Sequence, residues 1–271
     1  RCQQKPLYVA ECFVKKSRNG DYGVCVMAID WSTGAIVQVL KECGVYENTL
    51  IIFTSDNGSR NDFGESNGIL RGCKGETWEG GQRVPLIVHW KGKIKPSVCK
   101  ELVTSMDLYP SLVKLVGEEI LADKKIDGMD LSKLLLGETE HSDRNTFFYY
   151  MYHNLEAIRV GNWKLHLCRP QVGTDEENPR PVYDNDVEVK ELYDLSTDPS
   201  EQKNVYEENP ELVRRIMEEV EICRNDLGDT FTKTVGAGVR PIGKVDDPKP
   251  LTCYEEDYPY IIPMYDKVEA G

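Results

Sequence analysis

The chain has 271 residues, with 33 Lys and Arg against 46 Asp and Glu and a formal net charge of −13. That balance argues against a nucleic-acid or anionic-membrane surface as the main partner. At 40% hydrophobic and 29% charged residues the composition is that of a globular protein, neither disordered nor fibrous. No continuous apolar run approaches the roughly eighteen residues of a membrane span, so no span is predicted and a soluble chain is expected.

The opening Arg1-Cys2-Gln3-Gln4-Lys5-Pro6 has neither the apolar core nor the cleavage pattern of a signal peptide. The chain is therefore expected to be a piece of something longer, and its compartment stays unassigned. Nine cysteines form no CxxC pair and no regular spacing, which predicts scattered, mostly buried free thiols and leans towards a reducing, cytoplasmic setting.

Residues 22–43 carry Val24, Ala28, Ile29, Ile36, Val39, Leu40 and Cys43 on a 3.6-residue rhythm that stops at Gly44, predicting a long amphipathic helix. Thr49 to Thr54 is a short β-rich run without polar alternation, the pattern of a strand covered on both faces. Helix followed by buried strand points to a mainly parallel α/β sheet with flanking helices. Residues 59–83 read as one long glycine-rich loop, of a length usually tied to function. Val84 to Trp90 predicts a second strand, and Ser105 to Val116 a helix with Pro110 in its first turn.

From about residue 137 the pattern changes. Thr146–Tyr152 and Ala157–Leu167 predict strands, with a turn at Gly161-Asn162 inside the second run. A polar stretch at 170–190 follows, then a strand at Glu191–Leu195 and a helix from Pro210 to Asp226. The organisation expected is an incomplete α/β domain over 1–136, a small antiparallel sheet with a helix over 137–234, and an irregular tail over 235–271.

Asp56 and Asn57 sit where the first strand meets its loop, the usual edge for sites in open α/β sheets. One charged and one neutral oxygen donor side by side suit Ca²⁺ or Mg²⁺ better than zinc, although Asp-Asn-Gly is also ordinary turn chemistry. Lys74 lies between glycines in Arg71-Gly72-Cys73-Lys74-Gly75, where an ammonium and exposed amides can meet an oxyanion. His153 follows a predicted strand and can face a substrate from the small domain. His89 and His166 lie within strands and read as packing residues, and Trp78 reads as buried aromatic packing.

TLIIFTSDNG at 49–58 followed by SNGILRGCKGETWEGGQRVP at 66–85 resembles the sulfatase family of the alkaline-phosphatase-like superfamily. The likeness extends to Met106-Asp107-Leu108-Tyr109-Pro110, to Ile126–Asp130, to Ala157–Leu165, and to Leu192–Leu195 with Asp198–Asn204. It runs over roughly residues 18–227 and corresponds to the family's carboxyl-terminal portion. The resemblance implies hydrolysis of a sulfate ester of a small molecule or glycan. It also implies Ca²⁺, with Mg²⁺ as the alternative, and a formylglycine nucleophile made from a Cys or Ser. It assigns Asp56 and Asn57 as metal ligands and Lys74 as the catalytic, sulfate-binding lysine, while Arg71 and Glu79 hold the loop.

The family's Cys/Ser-x-Pro/Ala-x-Arg motif is absent, as are its opening aspartates, and no histidine lies between a Lys5-to-Val9 strand and the helix at Asp21. The formylglycine is accordingly expected in a missing amino-terminal part. Two accounts stay open: a carboxyl-terminal portion inactive by itself, whose truncated sheet invites self-association, or a genuine short homologue. A phosphodiesterase or phosphonate hydrolase of the same superfamily and a non-catalytic sulfatase-like scaffold are the alternative functions.

Overall fold

The computed structural model describes Phe13 and residues 17–60, 65–120, 125–175 and 178–246. The expected Lys5-to-Val9 strand and the tail beyond 246 lie outside the described residues. Arg1–Ala237 forms one compact unit and Gly238–Gly271 a second. Of the second, residues 238–246 are described and carry neither helix nor strand.

Helix α1, Gly20–Glu42, ends where Gly44 adopts a left-handed φ of 70°. There the Gly44 N–H donates to the Lys41 carbonyl at 3.1 Å and the Val45 N–H to the Leu40 carbonyl at 3.0 Å, the paired closure that a C-terminal glycine permits. The periodicity predicted a buried stripe, but only Val24 is buried, and Ile29, Trp31, Ile36 and Val39 are exposed. By length and composition alone α1 is long and apolar enough to cross a bilayer.

Strands β1 (Ile51–Thr54) and β2 (Leu86–His89) pair antiparallel, with Ile51 opposite His89 and Thr54 opposite Leu86. The α/β class holds, but this pair is not parallel. Among the described residues the connection between the strands carries one short helix, α2 (Glu79–Gln82), and a chain that doubles back without a helical crossover meets its predecessor antiparallel. Nor are the strands covered on both faces, since Leu86 and Ile87 are exposed. His89 is exposed rather than packed, its ring nitrogen 2.8 Å from the Tyr46 hydroxyl.

A 3-10 turn at Ser105–Asp107 leads into α3 (Leu108–Leu115), and α4 (Ser132–Leu136) follows. The buried Asp107 carboxylate closes the turn by accepting the Thr104 N–H at 2.8 Å, and it accepts the Met129 N–H at 2.9 Å. It also pairs with the Arg144 guanidinium, whose Nε donates at 2.8 Å. One side chain therefore joins α3, the 126–130 segment and the approach to the second sheet.

That sheet is a four-stranded antiparallel meander of β3 (Thr146–Met151), β4 (Asn154–Val160), β5 (Trp163–Asp175) and β6 (Asn178–Asp194), in sequence order. Its apolar face, Leu155, Ile158, Leu165, Leu167 and Leu192, packs on Val213, Ile216, Val220 and Cys223 of α5 (Pro210–Leu227). The 170–190 stretch, read from sequence as a polar connection, is instead the outer part of a long β5–β6 hairpin that pairs as far as Asp175 opposite Asn178. Ladder hydrogen bonds suffice to hold such an arm, so it needs no apolar alternation to betray it.

No disulfide joins the described cysteines. Only Cys168 and Cys223 among them are buried, fewer than expected.

Candidate active site

β1 delivers the chain into a tight bend, in which the Ser55 hydroxyl donates to the Asn57 carbonyl at 3.0 Å and the Asn57 N–H to Asp56 Oδ1 at 3.0 Å. The two motif stretches then lock together. The Gly58 N–H donates to the Gly81 carbonyl at 2.9 Å, the Lys74 N–H to the Ser59 carbonyl at 2.8 Å, and the Gly80 N–H to the Arg71 carbonyl at 2.7 Å. Asn67 bridges them, its Oδ1 accepting the Ser59 N–H at 2.8 Å and its Nδ2 donating to the Gly72 carbonyl at 2.9 Å. A Cβ on Gly58 would stand 1.7 Å from the Gly80 oxygen, so only glycine permits this approach.

The Asp56 carboxylate is exposed, and the neighbouring Asn57 amide, backbone N–H groups and the Lys74 charge hold its pKa below the usual value. Lys74 is exposed on the facing loop. Asn57 Oδ1 and Nδ2 are buried and make no hydrogen bond of ordinary geometry, although the amide lies close enough to the Asp56 carboxylate to lower its pKa. Asp56, Asn57 and Lys74 therefore belong to one neighbourhood. His153 lies on the β3–β4 turn, exposed, with its carbonyl accepting the Thr230 N–H at 2.9 Å. Met151, two residues earlier, shares a small cavity with Gly75 and Glu76 beside Lys74. Among the described residues no group of three or more His, Cys, Asp or Glu is placed to hold a metal ion.

Beneath the loop lies a set of buried charges that the sequence reading missed. Lys164 of β5 is fully buried, and its Nζ reaches Glu79 Oε1 at 3.0 Å, Glu201 Oε1 at 3.0 Å and the Thr77 carbonyl at 2.7 Å. Glu201 Oε2 accepts the Glu79 N–H at 2.7 Å, and the Tyr149 hydroxyl donates to Glu79 Oε1 at 2.9 Å. Arg71 stacks 3.7 Å above the Trp78 ring and donates to the Glu201 carbonyl at 2.9 Å. Arg71 and Glu79 thus hold the loop, as expected, and Trp78 is buried.

His166 is buried, as a packing residue should be, yet it joins these charges, with Nε2 2.9 Å from Glu201 Oε1. Burial, with Lys164 and Arg169 close by, holds its pKa well below the usual value, so the ring is neutral. Because a carboxylate can only accept, Nε2 carries the proton. Nδ1 is left buried without a partner.

Glu156 completes the underside. Its Oε2 accepts the Thr77 hydroxyl at 2.6 Å and its Oε1 is buried without a partner. It lines the same cavity, about 30 Å³, together with Thr77, Trp78 and Arg169, room for about one water molecule.

Residues 3–118 match the family model described as Sulfatase, and residues 74–226 match the one described as N-sulphoglucosamine sulphohydrolase, C-terminal. The chain belongs to the sulfatase family. It is 32% identical to mouse steryl-sulfatase over 234 residues, covering 77% of this chain and 37% of the relative. It is 35% identical to bovine arylsulfatase A over 261 residues, covering 92% of this chain and 51% of the relative.

A sulfatase structure from work on the metabolism of multiple glycosaminoglycans by Bacteroides thetaiotaomicron superposes with a TM-score of 0.68 at 31% identity. The match covers 79% of this chain and 46% of that one. The sulfatase, alkaline-phosphatase-like fold class is thereby established. The sulfatase-family chain spans about half or less of the length of the relatives named here.

Proposed function

We propose that this chain supplies part of the active site of a sulfatase that hydrolyses sulfate monoesters of a small molecule or glycan. Asp56 and Asn57 are the metal-facing residues and Lys74 the anion-binding one. The observation that supports the reading is the bonding of the Lys74 loop to the chain just beyond β1, Lys74 N–H to the Ser59 carbonyl and Gly58 N–H to the Gly81 carbonyl, which brings the Lys74 charge near enough to lower the Asp56 pKa. Hard, neutral and anionic oxygens of this kind fit Ca²⁺, with Mg²⁺ the smaller alternative. Two donors fall well short of the six to eight that Ca²⁺ gathers, so the remaining ligands, and the formylglycine nucleophile, come from polypeptide equivalent to the other half of the relatives.

When bound, the cation supplies Lewis-acid polarisation of a sulfate oxygen. This chain's own part is electrostatic. The Lys74 ammonium pairs with a sulfate oxygen and stabilises the negative charge that grows as the ester bond breaks. The hydrogen bonds from Lys74 to Ser59 and from Gly58 to Gly81 keep that ammonium in register with Asp56. Glycosaminoglycan metabolism in the Bacteroides relative supports a sulfated sugar as substrate, and the mouse and bovine relatives support steryl and aryl sulfates.

The ligand assignment is tested by following the Asn57 side-chain amide by NMR as Ca²⁺ is raised into the millimolar range. The signals should move in the wild type and stay still in Asp56→Asn. Asn57 signals indifferent to Ca²⁺ in the wild type would overturn the assignment.

A further inference from the structure

A set of the most deeply buried charges among the described residues stands outside the proposed anion site. Lys164 and Glu201 are 0% exposed and Glu79 is 2% exposed. The charges balance: two carboxylates face the Lys164 ammonium and the Arg159 guanidinium, which lies 3.9 Å from Glu79, while His166 stays neutral. A dry ion network of this kind is a poor source of stability, because apolar side chains of equal volume commonly do as well or better. What it does fix is geometry, since each partner has one place at which its hydrogen bonds close.

Thr77 and Glu79 of the loop take bonds or ion pairs from Tyr149 of β3, Arg159 of β4, Lys164 of β5 and Glu201. The same loop is tied on its other side to the end of β1, through Gly81 to Gly58 and through Lys74 to Ser59, and internally through Gly80 to Arg71. Residues 71–82 therefore form a stiff link, with the buried network at one end and the Asp56–Lys74 pair at the other. Glu201 stands at a left-handed φ of 53°, a strained value for a glutamate, in a turn where its N–H donates to the Asp198 carbonyl at 3.1 Å and where Lys164, His166, Glu79 and Arg71 all bond to it.

We propose that Lys164, acting with Glu79 and Glu201, is a positioning residue that sets where Lys74 stands relative to Asp56 and so whether the site can hold an anion. This rests on the reading of Lys74 as the anion-binding lysine. Lys164 touches no substrate; it acts through the loop.

The test is acetylation of lysines with acetic anhydride, read peptide by peptide by mass spectrometry, with and without inorganic sulfate. Exposed Lys133 and Lys203 serve as internal controls. In the wild type, sulfate at about ten times its Kd should slow acetylation of Lys74 about tenfold and leave the controls unchanged. Lys164→Met, shown to be folded by circular dichroism and a cooperative melt, should lose that protection. Lys164→Arg, which restores charge and donors, should recover it at least in part. Should Lys164→Met fail to fold, Lys164→Met/Glu201→Gln removes one charge of each sign and is read in the same way. Wild-type protection in either Met-containing variant would reduce the network to a stabilising role and overturn the inference. No protection in the folded wild type would instead sink the reading of Lys74 itself.

Discussion

Replacing Glu156 by Gln should stabilise the folded chain near pH 8 and change it little near pH 4.5. Glu156 is 2% exposed, with one oxygen on the Thr77 hydroxyl and the other unpartnered. Burial, then the negative charges of Asp186 and Glu76, push its pKa up to about 7 against the pull of Thr77 and Arg169. Between the ordinary value of 4.5 and about 7 the folded state binds this proton and the unfolded state does not. Stability from this group is therefore greatest at the acid end and falls as pH rises through that window. A rise of about 2.5 units at ~1.4 kcal/mol per unit amounts to about 3 kcal/mol.

His166 works in the opposite sense, because its folded pKa is depressed: its contribution is present above about pH 6.5 and lost as pH falls. The two slopes mask each other in the wild type alone, and the comparison of wild type with Glu156→Gln cancels the histidine. Urea denaturation at half-unit steps of pH should show Glu156→Gln gaining on the wild type, by up to about 3 kcal/mol at the alkaline end. A difference that stays flat across the window would refute the account of Glu156 as a proton-binding buried acid.

Asp107→Asn removes the charge opposite Arg144 and should cost about 3–5 kcal/mol in denaturant titrations, the range for breaking a buried ion pair. Gly58→Ala forces its new methyl group onto the Gly80 carbonyl and should cost about 1–3 kcal/mol, as overpacking does. Its Asp56 and Lys74 signals should shift together in NMR spectra, because both hang on that junction. The pure chain should not turn over an aryl sulfate, since it carries no Cys/Ser-x-Pro/Ala-x-Arg motif; turnover by correctly sized material counts against the division of the site proposed above. The exposed Ile29 and Ile36 of α1 should promote association, so Ile29→Glu/Ile36→Glu should lower the apparent mass in sedimentation velocity.

The helices α1, α3 and α5 were legible in sequence because each carries an end signal, Gly44, Pro110 or Asn209-Pro210, besides its periodicity. Strands β3 and β4 showed through aromatic and β-branched runs. The outer β5–β6 hairpin did not, because its sequence, with Gln171 opposite Asp184 and Cys168 opposite Glu188, has no apolar alternation to mark a strand. Strand direction in the first sheet was misread for a related reason: helix-then-strand order implies a parallel neighbour only when the connection crosses over. Asp56, Asn57 and Lys74, the residues proposed for the site, stand out in sequence through their motif. Lys164, Glu201 and Glu156 lie within or beside quoted motif stretches but gave no sign of their role, since nothing local distinguishes a buried lysine from a solvated one. Their partners are 35 to 130 residues away along the chain, as the His166–Glu201 and Arg71–Glu201 bonds show.

Those long-range bonds explain why so many residues around Lys74 are constrained, when Lys74 alone is proposed to offer its charge to an anion. Thr77 donates to Glu156, Trp78 lies against Arg71 and His166, and Glu79 receives Lys164 and Tyr149. Gly80 and Gly81 leave no room for side chains beside the Arg71, Gly72, Cys73 and Glu76 carbonyls. An ammonium on a free loop would lose much of its effect, because charge stabilisation in a transition state depends on donors that are already in place and need not reorganise. On the proposed role of Lys74, the ties of its loop to the chain beyond β1 by backbone hydrogen bonds and to the β3–β6 sheet by buried ion pairs meet that requirement. Lys74 itself lies on the side of the loop tied to the β1 end, where its N–H donates to the Ser59 carbonyl.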